Sequence, residues 1–215
     1  MGAEMRRIDL EHIVRAASVV ADVNELIIVG SQSILGAFPN APSELLVSQE
    51  ADLYPKVHPE RAELIEGALG ELSMFHETFG YYAQAVGPET CLLAPGWEDR
   101  LVKIQNEGTR GAIAWCLSPV DLIVAKLSAQ REKDFEFVRV ALSTGLVSCE
   151  DVEALLTHVS LADEQRKMIV SRRDLKASTS SSSIEATRDT SLRLTPVDPI
   201  DSIKLSTLRV EIPCR

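Results

Sequence analysis

Glu50 and Asp52 stand one residue apart in QEADLYP, residues 49–55, downstream of a glycine and a serine in VGSQSILGAF, residues 29–38. On a strand, residues i and i+2 point to the same face. The two carboxylates therefore project together, while Ala51 and Leu53 face the other way, into a core. Two like charges this close are unfavourable unless they reach water or are compensated. A hard divalent cation such as Mg²⁺ compensates them, because it takes oxygen ligands, keeps several waters and completes its shell on substrate phosphates. Gly30 and Ser31 suit those phosphates. Glycine lets the backbone approach without a Cβ in the way, a helix that follows aims free N–H groups at the anion, and serine adds a hydroxyl donor. Each feature also has a plainer reading. Gly30-Ser31 is compatible with an ordinary strand-to-helix turn capped by Ser, and Glu50 and Asp52 with a solvated strand face.

A second group of charged residues lies in DLIVAKLSAQREKDFEFV, residues 121–138. Lys126 sits among Ile123, Val124 and Leu127, so it either snorkels to water or reaches into a site. Arg131 and Lys133 alternate with Glu132 and Asp134, which also fits a solvated helix face. His58 and His76 are lone histidines near turns, and Trp97 and Trp115 read as packing residues.

The elements that must position these groups follow from periodicity. Ile8 to Val23 carries apolar residues at helical spacing, with Asp9 able to cap its start. Glu25 to Val29 is a short apolar run typical of a buried strand. The spacing predicts a helix from Ser31 to Phe38, a strand from Leu45 to Tyr54, and a helix from Pro59 to Leu72, with Pro59 in its first turn. Further strands are expected over Phe79–Val86, Leu101–Gln105 and Ala112–Leu117. Ser118-Pro119 then opens a long helix from Val120 to about Lys133, and two or three more helices follow to about Arg173.

The chain has 215 residues, of which 45% are hydrophobic and 25% charged, which is ordinary globular composition. A net charge of −10 argues against a protein that wraps duplex DNA, which needs a broad basic face. The four cysteines form no CxxC pair and have no histidine at metal-finger spacing. No leader-type or membrane-spanning apolar run stands out, so the expected compartment is the cytoplasm. From Lys176 onward the composition turns polar and Ser-rich, as in STSSSS. We therefore divide the chain into a core over residues 1–117, a C-terminal helical segment over 118–175, and a low-complexity tail over 176–215, expected to be disordered.

The ordered pattern, Val29-Gly30-Ser31 then Glu50-Ala51-Asp52-Leu53, resembles the nucleotidyltransferase superfamily. Lys126 with Arg131, Lys133 and Asp134 is similar to the Lys…Arg-x-Lys-Asp helix of bacterial abortive-infection type, toxin-like members. The resemblance implies an α+β (α/β) fold, a small mixed sheet flanked by helices. It implies metal ligation and catalysis at Glu50 and Asp52, with Lys126 as a further catalytic group. Nucleotide binding falls to Gly30, Ser31, Arg131, Lys133 and Asp134. The implied cofactor is Mg²⁺, as one or two ions, and the implied substrate is a nucleoside triphosphate (NTP). The implied acceptor is a hydroxyl on an RNA, a protein or a small molecule, in a toxin or phage-defence setting with a cognate partner. Superfamily enzymes usually carry a third carboxylate on a later strand. This chain has Gln84 where one is expected, with Glu89 just beyond Pro88. A protein of this fold that binds a nucleotide or a partner without turnover is the alternative, and a purely structural α/β domain a third.

Overall fold

The computed structural model describes residues 4–160. Its centre is a five-stranded mixed sheet in the order β3-β2-β1-β5-β4. The strands are β1 (Glu25–Ile28), β2 (Glu50–Pro55), β3 (Tyr82–Ala85), β4 (Val102–Ile104) and β5 (Ile113–Cys116). β1 runs antiparallel to β2 and parallel to β5, β2 is parallel to β3, and β4 is antiparallel to β5. The expected α+β class, a small mixed sheet flanked by helices, is what the chain adopts.

The alternation of each strand sets the two faces of the sheet. Leu26, Ile28, Ala51, Leu53, Ala83, Ala114 and Cys116 are buried on one face. Helix α1 (Arg7–Val20) contributes buried Leu10, Ile13, Val14 and Ala17 to the same core, and α3 (Ala62–Leu69) contributes Ile65 and Leu69. Fully burying one such side chain is worth roughly 1.5–3 kcal/mol. The opposite face carries Glu50, Asp52 and Tyr54 from β2, with Tyr82 and Gln84 in register beside the two carboxylates on β3. Trp115 and Lys103 continue this face across β5 and β4.

The helical elements differ from expectation in informative ways. Asp9 is not the cap of α1. Arg6 is, and the Asp9 side chain reaches back to accept from the Arg6 backbone N–H at 2.9 Å. The expected helix over Ser31–Phe38 is a 3-10 turn, Ser31–Ser33, followed by one short turn α2 (Ile34–Ala37). Of the expected strand over Leu45–Tyr54, only Glu50 onward pairs, because Ser43–Leu45 forms a 3-10 turn. The expected strand from Phe79 starts at Tyr82, because Met74–Phe79 forms helix α4, stopped by Gly80 in the left-handed region.

The long helix predicted from Val120 to Lys133 is two helices, α5 (Pro119–Ala129) and α6 (Glu132–Ser143). Gln130 adopts φ +58° and breaks the run, which turns α6 back toward α5. Ser118 does cap α5, accepting from the Asp121 N–H at 3.1 Å, and Pro119 fills the first turn. The last described helix is α7 (Cys149–Leu156). The remainder of the 118–175 segment and the 176–215 tail lie outside the described residues.

Candidate active site

Three connections hold the turn after β1. Val29 N–H donates to the Asp52 carbonyl at 2.9 Å. The buried Gln32 amide donates to the Ser48 carbonyl at 2.8 Å. Ser33 Oγ donates to the Gly30 carbonyl at 2.8 Å. Together they fix Gly30 against β2. Gly30 has φ +65°, and a Cβ there would collide with the Asp52 carboxylate. Only glycine meets both the backbone and the steric requirement.

Glu50 and Asp52 do share one face, with Ala51 and Leu53 buried behind them. Burial and the adjacent Glu50 push the Asp52 carboxyl up to about 6, against the pull of Lys126, Arg131 and Lys133. Among the described residues no hydrogen-bond donor reaches the Asp52 carboxylate. Glu50 is better supported. The Tyr82 hydroxyl donates to its Oε2 at 3.2 Å, and Lys133 Nζ stands 3.8 Å from Oε1. Burial, then Glu50, pushes the Tyr82 phenol up to about 12, so it stays a donor.

Lys126 is the element that joins the two halves. Only 7% of its side chain is exposed. Its ammonium donates to Ser31 Oγ at 2.9 Å and to Asp134 Oδ1 at 2.9 Å, and lies 4.4 Å from the centre of the Phe137 ring. Burial pulls its pKa down, and the Asp134 partnership pulls it back up. Arg131 Nε takes the other Asp134 oxygen at 2.6 Å. Burial alone would raise the Asp134 carboxyl, but the hydrogen bonds from Arg131 and Lys126 hold it below its usual range. The break at Gln130 makes this possible, since a continuous helix would carry Asp134 away from Lys126.

All eight residues singled out in the sequence are thus linked in one cluster. Gly30 meets Asp52, Ser31 meets Lys126, Lys126 and Arg131 meet Asp134, and Lys133 meets Glu50. Asp134 has no exposed surface and sits behind the two cations. The free N–H groups here come from a 3-10 turn, so the helix-dipole contribution expected at Gly30 is small. Two residues were missed. Tyr82 sits in register with Glu50, and the Cys91 thiol lies near enough to the Gly30 backbone N–H and to Asp52 for both to act on its pKa. Burial raises the Cys91 pKa, with that N–H pulling the other way. Alternation on β3 could have flagged Tyr82, but nothing local marks Cys91. Gln84 lies opposite Asp52 and Tyr82 opposite Glu50, so β3 adds no carboxylate to the pair. Among the described residues, no group of three or more His, Cys, Asp or Glu side chains could hold a metal ion.

Elsewhere, Arg100 makes a two-pronged pair with buried Asp121 at 2.9 and 2.7 Å and donates to the Pro95 and Ala94 carbonyls. It fastens the loop before β4, which carries Cys91, to the start of α5. A cavity of about 780 Å³ lined by Pro95, Arg100, Val120, Asp151, Leu155 and His158, among others, includes none of the eight site residues. No helix among the described residues is long and apolar enough to cross a membrane.

A mixed sheet with a Gly-Ser turn packed on a Glu-x-Asp strand defines a protein of nucleotidyltransferase type. Residues 8–187 match the family described as nucleotidyltransferase of unknown function (DUF6036), and the chain belongs to that family. No curated protein and no solved structure matches the chain.

Proposed function

We propose that the protein is a Mg²⁺-dependent nucleotidyltransferase that moves a nucleotide from an NTP to a hydroxyl acceptor. The observation that carries this reading is the hydrogen bond from buried Lys126 to Ser31, which ties the Gly-Ser turn, itself packed on the carboxylate strand, to the basic α5–α6 turn. Glu50 and Asp52 would hold the cation. Two hard oxygen donors, one lacking any hydrogen-bond partner among the described residues and lying against a glycine, fit a divalent ion. When bound, that ion neutralises phosphate charge and polarises the reacting phosphorus.

The chain's own groups do the rest. Gly30 admits the triphosphate close to the backbone, and Ser31 donates to a phosphate oxygen. Lys126 turns its ammonium toward the same oxygens, with Asp134 holding it in place and charged. Arg131 and Lys133 flank the mouth and offset charge that builds on the leaving group. The acceptor oxygen attacks the α-phosphorus in line. The bond to the β-phosphate bridging oxygen breaks, pyrophosphate leaves, and the hydroxyl proton passes to solvent.

Titration calorimetry of an NTP with Mg²⁺ tests the nucleotide site. Wild type should bind, and Asp52→Ala should lose the Mg²⁺-dependent part. Transfer of radiolabelled nucleotide to RNA and protein fractions then identifies the acceptor. Failure of a folded wild type to bind any of the four NTPs contradicts the proposal. One observation favours a second reading. Gln84 replaces the expected third carboxylate, which suits a protein that binds a nucleotide or partner chain, as in a toxin–antitoxin-like pair, without turnover. Nucleotide binding without label transfer to any acceptor supports that reading.

A further inference from the structure

β3 runs parallel to β2 in a register that sets Tyr82 beside Glu50 and Gln84 beside Asp52. Both β3 side chains therefore sit on the carboxylate face, and both are neutral. Tyr82 uses its hydroxyl to donate to Glu50. Gln84 is exposed at the position from which a carboxylate would face Asp52. Lys133 adds a positive charge 3.8 Å from the other Glu50 oxygen. The protein thus offers a cation two carboxylates, one already shared with a hydroxyl and an ammonium. Mg²⁺ bound through two carboxylates draws the rest of its shell from water and substrate phosphates, and two ions held side by side need more negative charge than this face supplies.

From this register we infer that Gln84 and Tyr82 restrict the site to a single divalent cation, which binds together with the triphosphate and not ahead of it. The inference rests on the nucleotide-binding reading and specifies its substrate as the metal–NTP complex. Gln84 is the determinant, because one further carboxylate at that position would give the empty site a third anionic ligand.

Equilibrium dialysis of the full chain against Mn²⁺, with and without the α,β-methylene analogues of the four NTPs, counts ions and nucleotides per chain. Wild type should take up no Mn²⁺ below about 1 mM without nucleotide, and one Mn²⁺ per bound analogue. Gln84→Glu, nearly isosteric and on an exposed position, should bind Mn²⁺ without nucleotide at least about tenfold more tightly than wild type. Gln84→Asp provides the same readout from a shorter arm. Two Mn²⁺ per bound analogue in wild type overturns the inference and leaves the nucleotide site standing. So does saturable Mn²⁺ uptake by nucleotide-free wild type well below 1 mM. Unchanged Mn²⁺ affinity in both folded Gln84 variants removes Gln84 as the determinant and overturns the inference. Absence of analogue binding at any Mn²⁺ concentration overturns the proposed function, and the inference falls with it.

Discussion

Single side chains carry the sharpest consequences. Asp52 has a folded-state pKa near 6, against 3.8 for the free side chain. Between those values the folded protein binds more protons than the unfolded chain, so this group's contribution to stability is full below about pH 4 and lost as pH rises through 6. At pH 7 the ionised carboxylate costs the folded protein about 1–3 kcal/mol. Asp52→Asn should therefore be more stable than wild type at pH 7 and close to it at pH 4, read by urea denaturation across that range. A pH-independent difference would contradict this assignment. Asp134→Ala leaves Lys126 buried with its charge unpaired, and unfolding should cost about 3–5 kcal/mol less than in wild type. Gly30→Ala forces a left-handed backbone on alanine and pushes Asp52 aside. It should lose about 1–3 kcal/mol by the same assay and abolish metal-dependent nucleotide binding. A Gly30→Ala variant that binds as wild type does would show that Asp52 is not held against the turn. Gly-Ser and Glu-x-Asp emerged as chemistry from residue types and spacing, and the Lys…Asp block emerged from the family resemblance. The exposure of each group did not, because burial of Lys126 and Asp134 is a property of the fold around them.

At the scale of elements, the turn between α5 and α6 and the loop before β4 decide how the site is assembled. Periodicity placed β1 and the carboxylate strand, and it recovered Ser118 as the cap of α5. It missed the break at Gln130, because Lys126 to Phe137 has unbroken helical character and the break is stabilised by the ion pair between Lys126 before it and Asp134 after it. It also missed α4, whose short aromatic run MFHETF reads equally as strand. His12 packs against Phe75, Phe79 and Tyr81 there, a tertiary cluster that no local pattern announces. Cys91 reached the site for the same reason, through a loop anchored by Arg100 on Asp121. Arg100→Ala leaves the Asp121 carboxylate buried with Ser118 as its remaining side-chain partner. It should destabilise by roughly 3 kcal/mol. Hydrogen exchange should accelerate at Ala94–Leu101 well before the amides of β1 and β5. Uniform acceleration across the sheet would argue that the Arg100–Asp121 pair supports the whole core and not this loop.

For the whole molecule, the acidic balance of −10 coexists with a local basic wall of Lys126, Arg131 and Lys133 facing two carboxylates. That arrangement fits an anionic ligand that brings its own cation. Ligand at a hundred times its dissociation constant should stabilise the folded chain by about 2.7 kcal/mol, a rise in Tm of about 5–10 °C. It should appear with Mg²⁺ and NTP together and not with either alone. Anomalous diffraction from crystals of the full chain with Mn²⁺ and an α,β-methylene NTP tests the proposed site without intermediate steps. One Mn²⁺ peak is expected within about 2.0–2.6 Å of oxygens from both Glu50 and Asp52, with the triphosphate against Ser31 and Lys126. Nucleotide seated elsewhere, for example in the cavity beside Arg100 and His158, with no peak at the carboxylates, would contradict it.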